Sequence, residues 1–334
     1  MLSKILNHTK SDIVLSNDHK DYTPEFMIDG LIKKEGISII AAERGAGKTR
    51  ALLWIAYSII YGLPEVFGYK INSRGDILFI SLEIAEKDFK AFTDPIRRHF
   101  EKELGLERKF NLFITSFKNA DSTLNELKFA IDQHKPTLTI IDSYKLYQAY
   151  VCLEQGIKEV NNSNFRKVLA PLEEIIAEFK TTIALINHTN KGTRKLESNA
   201  DLMFGPGALP DFVDQVTLLR KTLYPNQRII APDKTRYSSE VSLTSNLVEI
   251  KSTDPLSPYP DRLYFDLLEK DINEADYLPL VSQTRIDDST KEKIIEYLAE
   301  QKGTMEQAAT IFLGDGKKKG TVSKIWAKYK NKNS

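Results

Sequence analysis

Residues 42–49 read AERGAGKT and follow the apolar run ISIIA, so a glycine-rich turn with one lysine and one hydroxyl begins where a strand-like segment ends. Such a turn can cradle phosphate. Its backbone N–H groups and the next helix N-terminus face the anion, while the lysine reaches the outer phosphates and the hydroxyl holds Mg²⁺. Glu43, Arg44, Gly45, Ala46, Gly47, Lys48, Thr49 and Arg50 are therefore the candidate nucleotide-binding residues. Gly45 and Gly47 permit the tight backbone, and the helical stretch TRALLWIAYSIIY follows at once. Ala42 stands where the usual pattern has glycine, but it only opens the loop, and a methyl is the smallest side chain that could be added there.

A cradle binds nucleotide, whereas cleavage also needs a metal-positioning acid and a group that activates water. Three other apolar runs end in suitable residues. TLTIID ends in Asp142, which would orient Mg²⁺ together with Thr49. DILFISLE ends in Glu83, placed to accept the attacking water's proton from a neighbouring strand. TIALINH ends in His188, followed by TNKG, and would hydrogen-bond the γ-phosphate. Each has a plainer alternative: a turn-capping aspartate, a solvated loop acid and a packed histidine.

These residues need a scaffold that aligns strand ends. Short β-branched runs at 37–41, 76–82, 112–115, 137–141 and 182–187 alternate with helical patterns at about 49–61, 86–104, 122–134 and 163–180. The alternation predicts an α/β fold with a mostly parallel sheet flanked by helices. Phe165, Val168, Leu169, Leu172, Ile175, Ile176 and Phe179 form one apolar stripe, in which Pro171 predicts a kink or a restart. From Gln215 to Leu268 the runs VTLLRK, RIIAPDKTRYS and RLYFDLL suggest antiparallel strands at the sheet edge. Residues 1–24 are read as an N-terminal arm, 25–270 as the α/β domain and 271–287 as a linker. Residues 288–334 are read as a small all-α module with three helices, whose starts at Ser289 with Glu292 and Thr304 with Gln307 have capping-box spacing.

The apolar share of 41% and the charged share of 28% fit a folded protein with a sizeable core. A net charge of +1 excludes a uniformly basic coat, although residues 288–334 hold ten lysines against six acids. One cysteine, Cys152, excludes an internal disulfide, and the chain shows neither a leader pattern nor a membrane-length apolar run. A cytoplasmic protein without membrane association is expected.

The motifs resemble those of the RecA-like P-loop ATPases, most closely the RepA-type hexameric helicases and, behind them, the DnaB-type helicases. The similarity spans about Met27 to Leu268: MIDGLIKKEGISIIAAERGAGKT is similar to the family's first strand and P-loop, ISLE to its catalytic-glutamate strand and TLTIIDS to its Walker B strand. NSNFRKVLAPLEEIIAEFKTTIALINHTNKG resembles its helix, strand and sensor histidine. DKTRYS is similar to its Lys-x-Arg pair, which implies that Lys234 and Arg236 act as cations supplied across a subunit boundary. The resemblance implies ATP and Mg²⁺ as cofactors, a homo-hexamer and single-stranded DNA in a central channel. The channel loops would be 143–162, with Tyr144, Lys145, Tyr147 and Tyr150, and 189–210, with Lys191, Arg194 and Lys195. The C-terminal module resembles a helix-turn-helix or winged-helix unit. Its lysines, including Lys317, Lys318, Lys319, Lys324 and Lys328, would meet duplex DNA or other replication proteins beside a face burying Val322, Ile325 and Trp326. The expected activity is an ATP-driven replicative DNA helicase. The alternatives are a filament-forming recombination ATPase and an ATP-switched DNA-binding regulator that does not unwind.

Overall fold

The computed structural model describes residues 25–117, 122–162, 164–189, 203, 209–235, 244–252, 263–278, 288–300, 302–314 and 316–332. A short hairpin of β1 (Phe26–Ile28) and β2 (Ile32–Lys33) leads into β3 (Ile37–Ala42), whose residues are all buried. An unbroken apolar run of this kind suits a strand covered on both faces. Next come α1 (Lys48–Ile60), the small hairpin of β4 (Glu65–Val66) and β5 (Tyr69–Lys70), and β6 (Ile77–Ser81). Helix α2 (Glu86–Arg98) runs on into a π-helical turn at His99–Glu103, before β7 (Leu112–Thr115), α3 (Thr123–His134) and β8 (Leu138–Asp142). Then follow α4 (Tyr144–Gln155), α5 (Arg166–Phe179), β9 (Thr182–His188) and the short α6 (Leu209–Phe212). Strands β10 (Gln215–Lys221), β11 (Gln227–Thr235), β12 (Asn246–Ser252) and β13 (Leu263–Glu269) complete the main sheet.

That sheet has nine strands among the described residues, in the order β13-β12-β11-β10-β3-β9-β8-β6-β7. From β10 to β7 all neighbours are parallel, and β11, β12 and β13 add antiparallel to one side. This is the α/β class and the RecA-like arrangement expected above. One expected detail differs: Gln215–Lys221 is parallel to β3, so the antiparallel part begins one strand later. Two apolar clusters cover the two faces. Ile40 and Ala42 of β3 pack with α1 and α2, and Ile37, Ile39 and Ala41 pack with α3, α4 and α5, as the two-residue strand period requires.

Helix α5 runs through Pro171 without a restart, because Val168, Leu169, Leu172, Ile175 and Ile176 all remain buried against the sheet. Burial of that stripe outweighs the local cost of the missing N–H. Part of the segment expected as a channel loop is instead α4, with Tyr144 and Tyr147 buried at 1% and 0% exposure. Both rings belong to the core and cannot stack on bases. Residues 271–278, at the start of the expected linker, lie on the body, where Leu278 is buried in the second cluster.

Toward the C-terminus α7 (Asp288–Ala299), α8 (Met305–Leu313) and α9 (Lys319–Lys332), with a 3₁₀ turn at Gly316–Lys318, enclose Ile294, Ala308, Ala309, Leu313 and Val322. The capping box of Thr304 with Gln307 forms, whereas Ser289 lies inside α7. Trp326 is only half-buried and stacks on Tyr329 at 5.4 Å rather than joining the cluster. No helix among the described residues is long and apolar enough to cross a membrane.

Candidate active site

Parallel pairing sets the strand ends side by side. Ala42 of β3 is opposite His188 of β9, and Ser81 of β6 is opposite Asp142 of β8. In open α/β sheets the ligand crevice lies outside these carboxyl ends, and the loop 43–47 leaves β3 there. Gly45 and Gly47 take φ values of +70° and +97°, a left-handed backbone that side chains disfavour. Ala42 does not need that freedom. It is still a strand residue, wholly buried, and its carbonyl accepts from Thr189 N–H at 3.1 Å.

Helix α1 begins at Lys48, so Thr49 lies in its first turn, facing β8. The Thr49 hydroxyl donates to Asp142 Oδ2 at 2.6 Å. Burial pushes the Asp142 carboxyl up to about 6, and the nearby Glu83 charge adds to this against the Thr49 hydrogen bond. Two hard oxygen donors, one of them a carboxylate whose charge is poorly solvated, fit Mg²⁺ that keeps waters and phosphate oxygens as its other ligands. Among the described residues no group of three or more His, Cys, Asp or Glu could hold a metal ion.

The Lys48 ammonium donates to the carbonyls of Ala42 at 3.3 Å and Glu43 at 3.2 Å, and lies 3.2 Å from His188 Nδ1. Burial holds the Lys48 ammonium below the ordinary lysine value, with the charges of Asp142 and Glu83 opposing the shift. Burial, then the Lys48 charge, lowers His188, so its imidazole is neutral near pH 7 and Nδ1 accepts from the lysine. Glu83 is exposed just beyond the end of β6, and its carboxylate accepts from the Ser143 hydroxyl at 2.6 Å. Ser143, joined to Asp142 by a cis peptide, was not among the candidate residues. Its signal lay in its position directly after the aspartate of β8.

Lys48, Thr49, Asp142, Glu83 and His188 thus converge on one crevice. Of the other cradle residues, Ala46 is buried, Glu43 is half-buried, Arg44 is exposed and the Arg50 guanidinium lies 5.6 Å over the Phe92 ring. Lys145 is exposed on α4, and its charge bears on His188. Lys191, Arg194, Lys195 and Arg236 lie outside the described residues. Lys234 is placed by its backbone in β11, opposite Val216. Lys317 and Lys318 are in the 3₁₀ turn, and Lys319, Lys324 and Lys328 are on α9.

The family profile described as the AAA domain matches residues 7–194, a span of the chain that holds the cradle, Glu83, Asp142 and His188. Among curated proteins none matches the chain. With more than half of the 334 residues inside the matched span and the crevice built as above, the chain belongs to the AAA domain family and is a P-loop ATPase.

Proposed function

We propose that this ATPase is a ring-forming motor on single-stranded DNA, similar to the RepA-type replicative helicases. The observation that carries the reading is the 3.2 Å contact between Lys48 and His188. It joins the phosphate-binding lysine to the strand from which residues 189–210, with Lys191, Arg194 and Lys195, continue. A γ-phosphate that draws Lys48 away must give His188 a new partner, so nucleotide state is passed to a cationic segment suited to a DNA backbone.

In this scheme Lys48 neutralises the outer phosphates, and Glu83, steadied by Ser143, takes the proton of the attacking water. Mg²⁺ held by Thr49 and Asp142 would withdraw charge from the phosphate oxygens. Lys234, near the end of β11, and Arg236, two positions later in the sequence, complete the site of a neighbouring subunit in a hexamer. A cation supplied in this way is worth roughly 10³ to 10⁵ in rate, so hydrolysis would depend on assembly. The three C-terminal helices act as a helix-turn-helix unit, and their lysines contact duplex DNA or another replication protein.

The test is an ATPase assay with and without single-stranded DNA, beside the mass of the assembly and strand displacement on a forked substrate. A DNA-stimulated ring that displaces strands supports the motor. Filaments on DNA would favour recombination. Sequence-specific duplex binding with turnover indifferent to single strands would favour a regulator.

A further inference from the structure

Two cations of the β10–β11 hairpin, Lys221 and Arg228, are direct cross-strand partners. Like charges placed opposite each other destabilise a strand pair, and Arg228 bears this while only 8% exposed. Both side chains end on the phosphate loop. Lys221 Nζ donates to the Arg44 carbonyl at 2.9 Å, and Arg228 Nε donates to the Ala46 carbonyl at 2.9 Å. The Arg228 fork is fixed in turn by donating to the carbonyls of Pro225 at 2.8 Å and Gln227 at 2.7 Å. Leu219 pairs with Ala42, the last residue of β3, so Lys221 extends past that strand and over the loop.

A trans peptide points its C=O and its N–H in opposite directions. The Arg44 carbonyl shares a peptide plane with Gly45 N–H, and the Ala46 carbonyl shares one with Gly47 N–H. Drawing both oxygens toward the hairpin turns both N–H groups away from it. In the sheet order β11-β10-β3-β9, away from the hairpin is the side of β9 and β8, where Lys48, His188 and Asp142 lie. We infer that Lys221 and Arg228 are positioning residues, which preset two phosphate-binding peptides of the loop at the glycines whose backbone would otherwise be the freest. The inference rests on nucleotide binding by this loop and adds two residues 170 or more positions away from it in sequence.

The test compares the full chain with Lys221→Met, Lys221→Arg and Arg228→Lys by titration with ATP, ADP and adenosine, with a thermal melt of each variant. Lys221→Met should bind ATP and ADP roughly ten- to a hundredfold more weakly, the value of a charged hydrogen bond, and adenosine unchanged. Lys221→Arg should restore most of the loss. Arg228→Lys should show the same phosphate-dependent weakening, since the single ammonium nitrogen cannot occupy both the Nε and the Nη1 positions of the guanidinium. Equal ATP affinity in Lys221→Met and the parent chain would overturn the inference. So would weakening shared equally by adenosine, or a loss confined to Lys221, which would make it a direct phosphate ligand. A parent chain that binds no nucleotide would instead sink the ATPase reading itself.

Discussion

Asp142 is a charge placed where solvent barely reaches, and its cost has a sign that can be measured. The folded-state value of about 6 lies above the ordinary 3.8, so folding favours the protonated form and that stability is lost as pH rises through about 6. Asp142→Asn mimics the protonated state and still accepts from Thr49. Without metal or nucleotide it should be more stable than the parent above pH 7, by at most about 3 kcal/mol, and equally stable below about pH 4. Urea unfolding at the two pH values decides this; a parent that is the more stable at high pH would contradict the burial account. Glu83 makes a different prediction, because it is exposed and held by Ser143 at 2.6 Å. Glu83→Gln should keep nucleotide affinity and lose about 10²- to 10⁴-fold in turnover, the usual worth of a positioned base. Equal losses in affinity and turnover would point to a structural role. Residue types and spacing made Lys48, Thr49, Asp142, Glu83 and His188 legible in advance. Lys221 and Arg228 were not legible, because their partners are carbonyls 177 and 182 positions away in the chain.

Elements were readable where hydrophobicity alone defines them. ISIIAA, ILFIS and LTIID are buried at every residue, and such runs have few other ways to fold. Helix α4 went unread although Tyr144, Tyr147 and Val151 are its buried face at helical spacing. Tyrosines suit a wet binding loop as well as a core, and only packing against α5 and the sheet distinguishes the two; the Tyr147 hydroxyl finds the Val168 carbonyl at 3.1 Å. Cap chemistry was more direct. The Thr304 hydroxyl accepts from Gln307 N–H at 3.2 Å, and the Gln307 side chain accepts from Thr304 N–H at 2.7 Å. Thr304→Ala should cost about 1 kcal/mol and speed amide exchange in α8 while leaving exchange in β3 and β8 unaltered. A uniform change in all three would mean that the C-terminal helices and the sheet unfold as one unit.

At the scale of the whole molecule, β11 joins two functions. Arg228 near its start holds the phosphate loop of the same chain, and Lys234 near its end is followed by Arg236, proposed to serve a neighbour. If sites are shared in a closed ring, two inactive variants should complement each other. Arg236→Ala keeps its own Glu83, and Glu83→Gln keeps its own Arg236, so about a quarter of randomly mixed heterologous interfaces would hold both groups. Each variant alone should be nearly inactive, and a one-to-one mixture should recover a corresponding fraction of turnover. Wild-type turnover by Arg236→Ala alone would refute the shared site.

By itself the sequence determined the strand–loop–helix of the cradle, the α/β class and the acids at strand ends. All of these follow from short-range rules: side-chain period, glycine freedom and the apolar runs that precede each polar tip. The tertiary structure alone decided that β10 lies beside β3, that Tyr144 and Tyr147 face a core, and that a like-charged hairpin pair grips the phosphate loop. Those outcomes depend on sheet order and on contacts between different elements, up to 182 positions apart for Arg228 and the Ala46 carbonyl, and no local pattern encodes which strand becomes another's neighbour.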